Sequence, residues 1–412
     1  MLITVTYTLP IAADEILLDT AAFSVCATDV KAASGAFAYC APPLILGHEC
    51  AGTVVEVGSS VVGLAVGDKV VLSYASCGTC QMCEGNGDAY CVELRRLNFD
   101  GRVVGAVKGE GGEVKVKGLF FGQSSMGRRI VARARSAVKL PPETSSREMC
   151  LFAALGCGIQ TGAGAIFNVA RPGQGSSVCI FGAGSVGLAA CLAAKLSGPA
   201  RLVLVDKSAK KLSMLPACVR EAATDLVDSS AFAAGRESEE QLIERLKKLT
   251  PGEHGFDYVL DCVGRGDLVK VGHLALKARG TLITVGGSLD IMQVTLSQHL
   301  AKGITYRGTH QGDSVPRVVR YGLSSSSVGK FPFDKLLSFY GFKELHTALQ
   351  HVRDGRVIKP VLVCDGDTLL PAYLGSPVCH ERTRRFDHGE RQHGPYGVSG
   401  AVESQNQNAQ YE

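Results

Sequence analysis

The segment Ser177–Gly187, S-V-C-I-F-G-A-G-S-V-G, constrains this chain's fold more than any other stretch. It opens as an apolar strand and ends in G-x-G-x-x-G at Gly182, Gly184 and Gly187, after which Ser185–Leu196 has helical spacing. That order predicts a βα unit. Gly182 makes the turn, Gly184 lets a phosphate approach, and Gly187 lets helix pack on strand. The alternation continues through Arg201–Asp206 and Ala209–Val219, Tyr258–Cys262 and Leu268–Lys277, and then Thr281–Val285. Glu237–Leu249 adds an amphipathic helix. The pattern predicts an α/β fold with a doubly wound parallel sheet.

A lone G-x-G-x-x-G is a weak signal, but here Asp206 ends the next strand, about 20 residues past the last glycine. Its carboxylate can accept hydrogen bonds from the 2′- and 3′-hydroxyls of an adenosine ribose. Its charge would repel a 2′-phosphate, so the pattern favours NAD over NADP. The helix N-terminus then faces the pyrophosphate. The uncharged run Gly173–Ala194 contains five glycines and reads as a buried βα unit, with no transmembrane segment.

Cys77, Cys80, Cys83 and Cys91 form C-x2-C-x2-C-x7-C. Four thiolates this close can enclose one Zn²⁺ as a closed tetrahedron, the structural type of site. No Lys or Arg lies between Cys77 and Cys91, which argues against a nucleic-acid-binding zinc ribbon. A second set is dispersed: Cys26-Ala-Thr28-Asp29, Gly47-His48-Glu49 and Gly156-Cys157-Gly158. Two Cys and one His leave one zinc position open for water or substrate. Taken singly, His48 or Cys157 is more often a core residue than a ligand, so the case rests on their order beside the other motifs.

The 412 residues give room for two or three domains. With 43 basic and 39 acidic side chains the net charge is +4, and the basic residues are scattered, so no nucleic-acid or membrane partner is expected. The N-terminal stretch lacks a charged n-region and a long apolar core, so it reads as no signal peptide and a cytoplasmic location is expected. In that setting the 15 Cys are thiols and metal ligands rather than disulfides. Trp is absent, so any aromatic pocket must use Phe or Tyr. Residues 1–155 read mostly as β, with Glu15–Thr20, Gly52–Val57 and Lys69–Tyr74 as strands; near the C-terminus a helix is expected at Phe342–Val352 and a strand at Val361–Val363. Cys379–Glu412 has almost no apolar periodicity and reads as part of a disordered tail.

Together these motifs resemble the zinc-containing medium-chain alcohol dehydrogenases over about residues 10–365. GHECAGTVVEVG (47–58), GDKVVLS (67–73), the four-Cys lobe, the glycine fingerprint and KPVLV (359–363) carry the likeness. LNFDGR (97–102), FFGQSS (120–125) and GCGIQTGAGA (156–165) look like the aryl-alcohol, or benzyl alcohol, branch. The resemblance implies a GroES-like catalytic domain over 1–158, rejoined by 309–365, a Rossmann domain over 159–308 and a tail at 366–412. It assigns catalytic zinc to Cys26, His48 and Cys157, the Cys₂His set of these enzymes, with Glu49 as an occasional ligand. Thr28 becomes the proton-relay hydroxyl, and Asp29 is a candidate to orient the His48 ring. Lys211 is expected near the adenosine ribose and Lys359 near the pyrophosphate. The implied enzyme is a homodimer or homotetramer. It moves a hydride between NAD(H) and a small primary alcohol or aldehyde, aromatic or allylic, and fits a step of small-molecule biosynthesis.

Two departures stand out. The family's C-H-T-D is C-A-T-D here, with Ala27 removing a possible cofactor contact. Leu212–Asp225 is about three residues longer than usual and contains Pro216, which predicts a broken second Rossmann helix. Two other readings remain open: a polyol or other alcohol dehydrogenase of the same family, and a catalytically degenerate relative that still binds zinc and NAD.

Overall fold

A computed structural model describes residues 5–7, 10–37, 40–109, 111–294, 296–313 and 330–364. The tail expected at 366–412 lies outside the described residues. The strands are β1 (Thr6–Tyr7), β2 (Glu15–Ser24), β3 (Cys50–Val57), β4 (Lys69–Leu72), β5 (Arg102–Gly109), β6 (Gly112–Gly118), β7 (Arg129–Arg133), β8 (Ala137–Lys139), β9 (Ser177–Phe181), β10 (Arg201–Asp206), β11 (Asp225–Asp228), β12 (Phe256–Asp261), β13 (Leu276–Thr284), β14 (Thr305–Gly308), β15 (Leu337–Gly341) and β16 (Lys359–Val363).

The first sheet runs β15-β16-β2-β3-β4-β8, with β7 also on β2. Strand β2 is its hub because Ile16, Leu18 and Phe23 are buried among Val54, Val70, Leu72, Ile130 and Leu362. Register shifts against β3, between Leu17 and Leu18 and between Thr20 and Ala22, bend β2. A small antiparallel sheet, β1-β5-β6, stands beside it. This β-rich body corresponds to the GroES-like domain that the resemblance implies.

The second sheet runs β11-β10-β9-β12-β13-β14, and every pairing in it is parallel. Strand β9 is buried throughout, as parallel strands covered on both faces must be. The run Gly173–Ala194 resolves into β9 and the helix Ser185–Lys195. No single helix among the described residues is long and apolar enough to cross a membrane. The second Rossmann helix is broken into Ala209–Ser213 and Ala217–Ala222, with Pro216 capping the latter. Proline has no N–H to continue the first helix, so Met214 and Leu215 bridge the gap.

The chain then returns to the first sheet. Strands β15 and β16 are parallel, linked by the helix Leu345–Arg353, and β16 pairs antiparallel with β2. The backbone N–H of Val25 donates to the Pro360 carbonyl at 3.2 Å. The end of β2, where Cys26 begins the next helix, is therefore held by the last described strand.

Candidate active site

Cys26 is the N-cap of the helix Ala27–Ala33. The Asp29 carboxylate accepts from the N–H of Cys26 at 2.9 Å and of Gly47 at 3.2 Å. It also pairs with His48 Nδ1 at 2.9 Å. One buried carboxylate thus ties the Cys26 turn to the Gly47–Glu49 loop and fixes the imidazole. His48 Nε2 is buried with no hydrogen-bond partner. An orphaned ring nitrogen whose opposite nitrogen is held by a carboxylate is the arrangement of a histidine metal ligand.

Cys157 reaches the same point from the other side, at the N-cap of the helix Gly158–Gly164. The ligating atoms of Cys26, His48, Glu49 and Cys157 all lie within 4.8 Å of one another. A hydrogen bond from Cys157 holds the Cys26 thiol well below its ordinary value against the opposing effect of burial, and Cys157 shifts upward in return. The shift favours the thiolate at Cys26, the metal-binding form of the side chain. These residues fit a zinc ion. Thr28 Oγ1 lies 3.9 Å from Cys26 Sγ, beside the cluster.

Glu49 is fully buried. Its carboxylate accepts from Ser24 Oγ, from the Gly158 N–H at 3.3 Å and from Lys359 Nζ at 2.5 Å. Burial opposes charge on both members of the Glu49–Lys359 pair. It raises Glu49, whereas the carboxylate outweighs it at Lys359 and holds the ammonium charged. Lys359, expected near the pyrophosphate, is fully buried with its ammonium on Glu49, behind the metal cluster. A buried carboxylate has to find a cation or lose its charge, and Lys359 is the one that reaches it.

The second set is equally compact. Cys77, Cys80, Cys83 and Cys91 bring their sulfurs within 4.8 Å of one another, with separations of 3.5 Å for Cys80–Cys83 and 3.9 Å for Cys77–Cys83 and Cys80–Cys91. A tetrahedral zinc with Zn–S of about 2.3 Å needs sulfurs roughly 3.8 Å apart. The N–H groups of Cys77 and Cys80 point at Cys91 Sγ and Cys77 Sγ, each at 3.3 Å, and backbone bonds help bring the Cys77 thiol down to about 6. The lobe fits a structural zinc.

In the glycine loop Gly182 has φ +99°, and a Cβ on Gly187 would lie 1.9 Å from the Gly182 carbonyl oxygen. A Cβ on Gly184 would meet nothing within 4 Å, so that side is open. Asp206 ends β10 and accepts from the N–H groups of Ala183 and Ser208, both at 2.8 Å. These bonds hold its carboxylate at the rim of the loop. A cleft of about 220 Å³ runs from Cys26 and Ala27 past Ala183–Ser185 to Lys211. It joins the Cys26 turn to the glycine loop.

Ser24, Gln123, Phe120 and Phe121, which no sequence motif marks one by one, also belong to the site. Phe121 stacks on the His48 ring, with centroids 4.5 Å apart and planes at 26°. Phe120 meets Phe121 edge-on at 4.9 Å, and Phe99 does so at 5.0 Å. Gln123 Nε2 donates to the carbonyls of His48 at 2.9 Å and Ser73 at 2.8 Å. The stretch is tightly wound, with positive φ at Leu119, Phe121 and Ser124. Gly122 takes a positive φ of +71° in the same stretch, so one glycine marks the turn, but the three other positions are residues that seldom adopt that region.

Comparison with known proteins agrees with this geometry. Residues 12–142 match the alcohol dehydrogenase GroES-like domain, and residues 185–324 match the zinc-binding dehydrogenase domain. A geraniol dehydrogenase from Castellaniella defragrans is 37% identical over 356 residues, covering 85% of this chain and 91% of that protein. The benzyl alcohol dehydrogenase of Acinetobacter calcoaceticus superposes with a TM-score of 0.75 at 31% identity, covering 87% of this chain and 94% of that one. A zinc-binding-domain alcohol dehydrogenase from Burkholderia ambifaria gives a TM-score of 0.76 at 34% identity, covering 85% and 92%. With both cysteine sets assembled and a dinucleotide loop between the two sheets, the chain belongs to the zinc-containing medium-chain alcohol dehydrogenase family.

Proposed function

We propose that this enzyme interconverts an aromatic or allylic primary alcohol and its aldehyde, with NAD(H) as the hydride carrier. The observation that carries the reading is the aromatic group beside His48, in which Phe121 stacks on the imidazole and Phe120 and Phe99 meet Phe121 edge-on. A flat π-system can lie against such a group. Two relatives act, by their names, on geraniol, an allylic alcohol, and on benzyl alcohol.

Cys26, His48 and Cys157 hold the catalytic zinc, and Glu49 is within reach as a fourth donor. When bound, zinc supplies Lewis acidity toward the substrate oxygen and the dinucleotide supplies the hydride acceptor. Thr28 Oγ1 accepts the substrate hydroxyl proton and passes it outward. Asp29 keeps the His48 ring in place. Gly182, Gly184 and Gly187 admit the dinucleotide, Asp206 receives its adenosine ribose, and Lys211 lies close by.

The chain is expected to pair with a second copy. The β14 edge exposes Tyr306, and Leu289, Ile291, Leu296 and Leu300 are all more than four-fifths exposed nearby. An open strand edge flanked by apolar side chains is an association surface. A monomer by light scattering at micromolar concentration would overturn this part.

The main test is the initial rate of NADH formation by the zinc-loaded protein with benzyl alcohol, geraniol, ethanol and a polyol, at matched NAD and NADP. A preference for the first two with NAD supports the proposal. A preference for ethanol or the polyol removes the aromatic reading. No turnover with any of them points to the degenerate relative.

A further inference from the structure

One buried amide joins the two halves of the molecule. Gln160 lies in the helix Gly158–Gly164, three residues past Cys157, and is fully buried. Its Nε2 carries two hydrogens. One goes to Ser73 Oγ at 2.9 Å and the other to Gln311 Oε1 at 3.0 Å. Ser73 follows β4 of the first sheet, and Gln311 opens the turn Gln311–Asp313 that follows β14 of the second. That turn lies at the C-terminal ends of the parallel strands, the end at which a dinucleotide sits in such a sheet.

On the first-sheet side Ser73 is a node behind the metal ligands. Its Oγ donates to the Gly156 carbonyl at 2.6 Å, the peptide oxygen next to Cys157. Its own carbonyl accepts from Gln123 Nε2, which also holds the carbonyl of His48. On the nucleotide side the turn packs closely on the helix: a Cβ on Gly312 would lie 2.7 Å from Gly164 Cα. The peptides beside His48 and Cys157 and the turn after β14 therefore meet through Gln160. Its Oε1 is buried with no partner. Burying that oxygen is a cost that an apolar side chain of the same length would avoid. Stability alone therefore does not account for a glutamine at this position.

Resting on the alcohol dehydrogenase reading above, we propose that Gln160 is a positioning residue for hydride transfer. It clamps the nucleotide-binding half against the peptides that carry His48 and Cys157, the two sides across which the hydride passes. A misplacement of about 1 Å between reacting groups can cost roughly a hundredfold in rate.

The test is Gln160→Met in the full-length, zinc-loaded protein. Methionine keeps the length and removes both donors. Ser73 Oγ keeps its bond to Gly156, and Gln311 Oε1 keeps the one from Thr161 Oγ1 at 3.3 Å, so Tm should fall by less than about 4 °C. The single-turnover rate of NADH formation from NAD and benzyl alcohol should fall by about 10–100-fold, with zinc content unchanged and NADH affinity, read by nicotinamide fluorescence, within about threefold. Without cofactor, amide hydrogen exchange should quicken at both ends of the clamp, in peptides spanning 156–160 and 309–313. Gln311→Met should act in the same way, and the double variant should be no slower than either single. A Q160M single-turnover rate within about twofold of wild type overturns the inference. So do losses that multiply in the double variant. So does a rate loss that comes only with lost zinc or lost NADH binding, because Gln160 would then serve the fold or the binding sites rather than their alignment. A wild type that does not oxidise benzyl alcohol counts against the proposed function. Hydrogen exchange then decides whether Gln160 joins the halves, and unchanged exchange in Q160M overturns it.

Discussion

Asp29 Oδ1 lies 2.9 Å from His48 Nδ1, and both residues are 1% exposed. The carboxylate thereby decides which imidazole nitrogen faces the cysteines. Asp29→Asn keeps the shape but loses the charge. Catalytic zinc affinity should fall by about 10–100-fold, while the Cys77–Cys91 lobe keeps its ion. Chelator competition read as zinc per chain checks this, and an unchanged second zinc affinity would show that Asp29 serves only the backbone turn.

Lys359 and Glu49 form a fully buried pair. Removing one partner strands the other, so Lys359→Met should cost about 3–5 kcal/mol of stability. The double variant Glu49→Gln/Lys359→Met should cost clearly less than the sum of the singles. Urea unfolding of all four species gives the coupling energy, and simple additivity would mean that the two charges do not depend on each other.

The four-Cys lobe holds its own ion, since its ligand set is separate from the catalytic one. Cys83→Ser should release one zinc per chain and lower Tm by several degrees or roughly more, as structural zinc contributes folding energy directly. The remaining zinc should still support measurable turnover at low temperature. Loss of both ions together would show that the two sites assemble as one unit.

His273 is buried, and its Nε2 lies 3.1 Å from His299 Nδ1 in a stacked pair of rings. Burial first, then His299 and Lys302, push its pKa below the ordinary histidine value. The unfolded chain therefore binds this proton more readily than the folded one. Stability from this site is complete above the unfolded value near 6.5 and is lost as pH falls through it toward the folded value. Tm measured from pH 7.5 to 5.5 should drop, and His273→Phe should flatten part of that slope. An identical slope in the variant would place the acid sensitivity elsewhere.

Phe121→Ala removes the ring that stacks on His48. The kcat/KM for benzyl alcohol should fall by about 3–10-fold, and the preference over ethanol should shrink. Equal losses on both alcohols would indicate a general disturbance of the His48 loop.

The parts of the site that could be read from the sequence are those whose chemistry is written at short range. Cys77–Cys91 spans fifteen positions, and the glycine fingerprint spans six. Pro216 announced the broken helix because its missing N–H acts locally. The Lys359–Glu49 pair joins residues 310 positions apart, and no local spacing encodes that. The aromatic group around Phe121 escaped notice for another reason. Apart from Gly122, its backbone turns through positive φ at ordinary residues, so the turn is imposed by packing and by hydrogen bonds such as that from the Phe120 N–H to Ser124 Oγ. Tertiary context there overrides residue preference.

The pairing of β16 with β2 sets an order of events on the ribosome. The nucleotide-binding sheet closes with β14 and can form while synthesis is still under way. The β2 edge that bears Cys26 must wait with its last hydrogen-bonding positions open, and Glu49 must wait for its counter-ion, until Lys359–Val363 has left the exit tunnel. A nascent chain arrested before that strand would carry a finished dinucleotide half and an unfinished metal centre. Emergence of Lys359–Val363 is thus what lets the metal centre close.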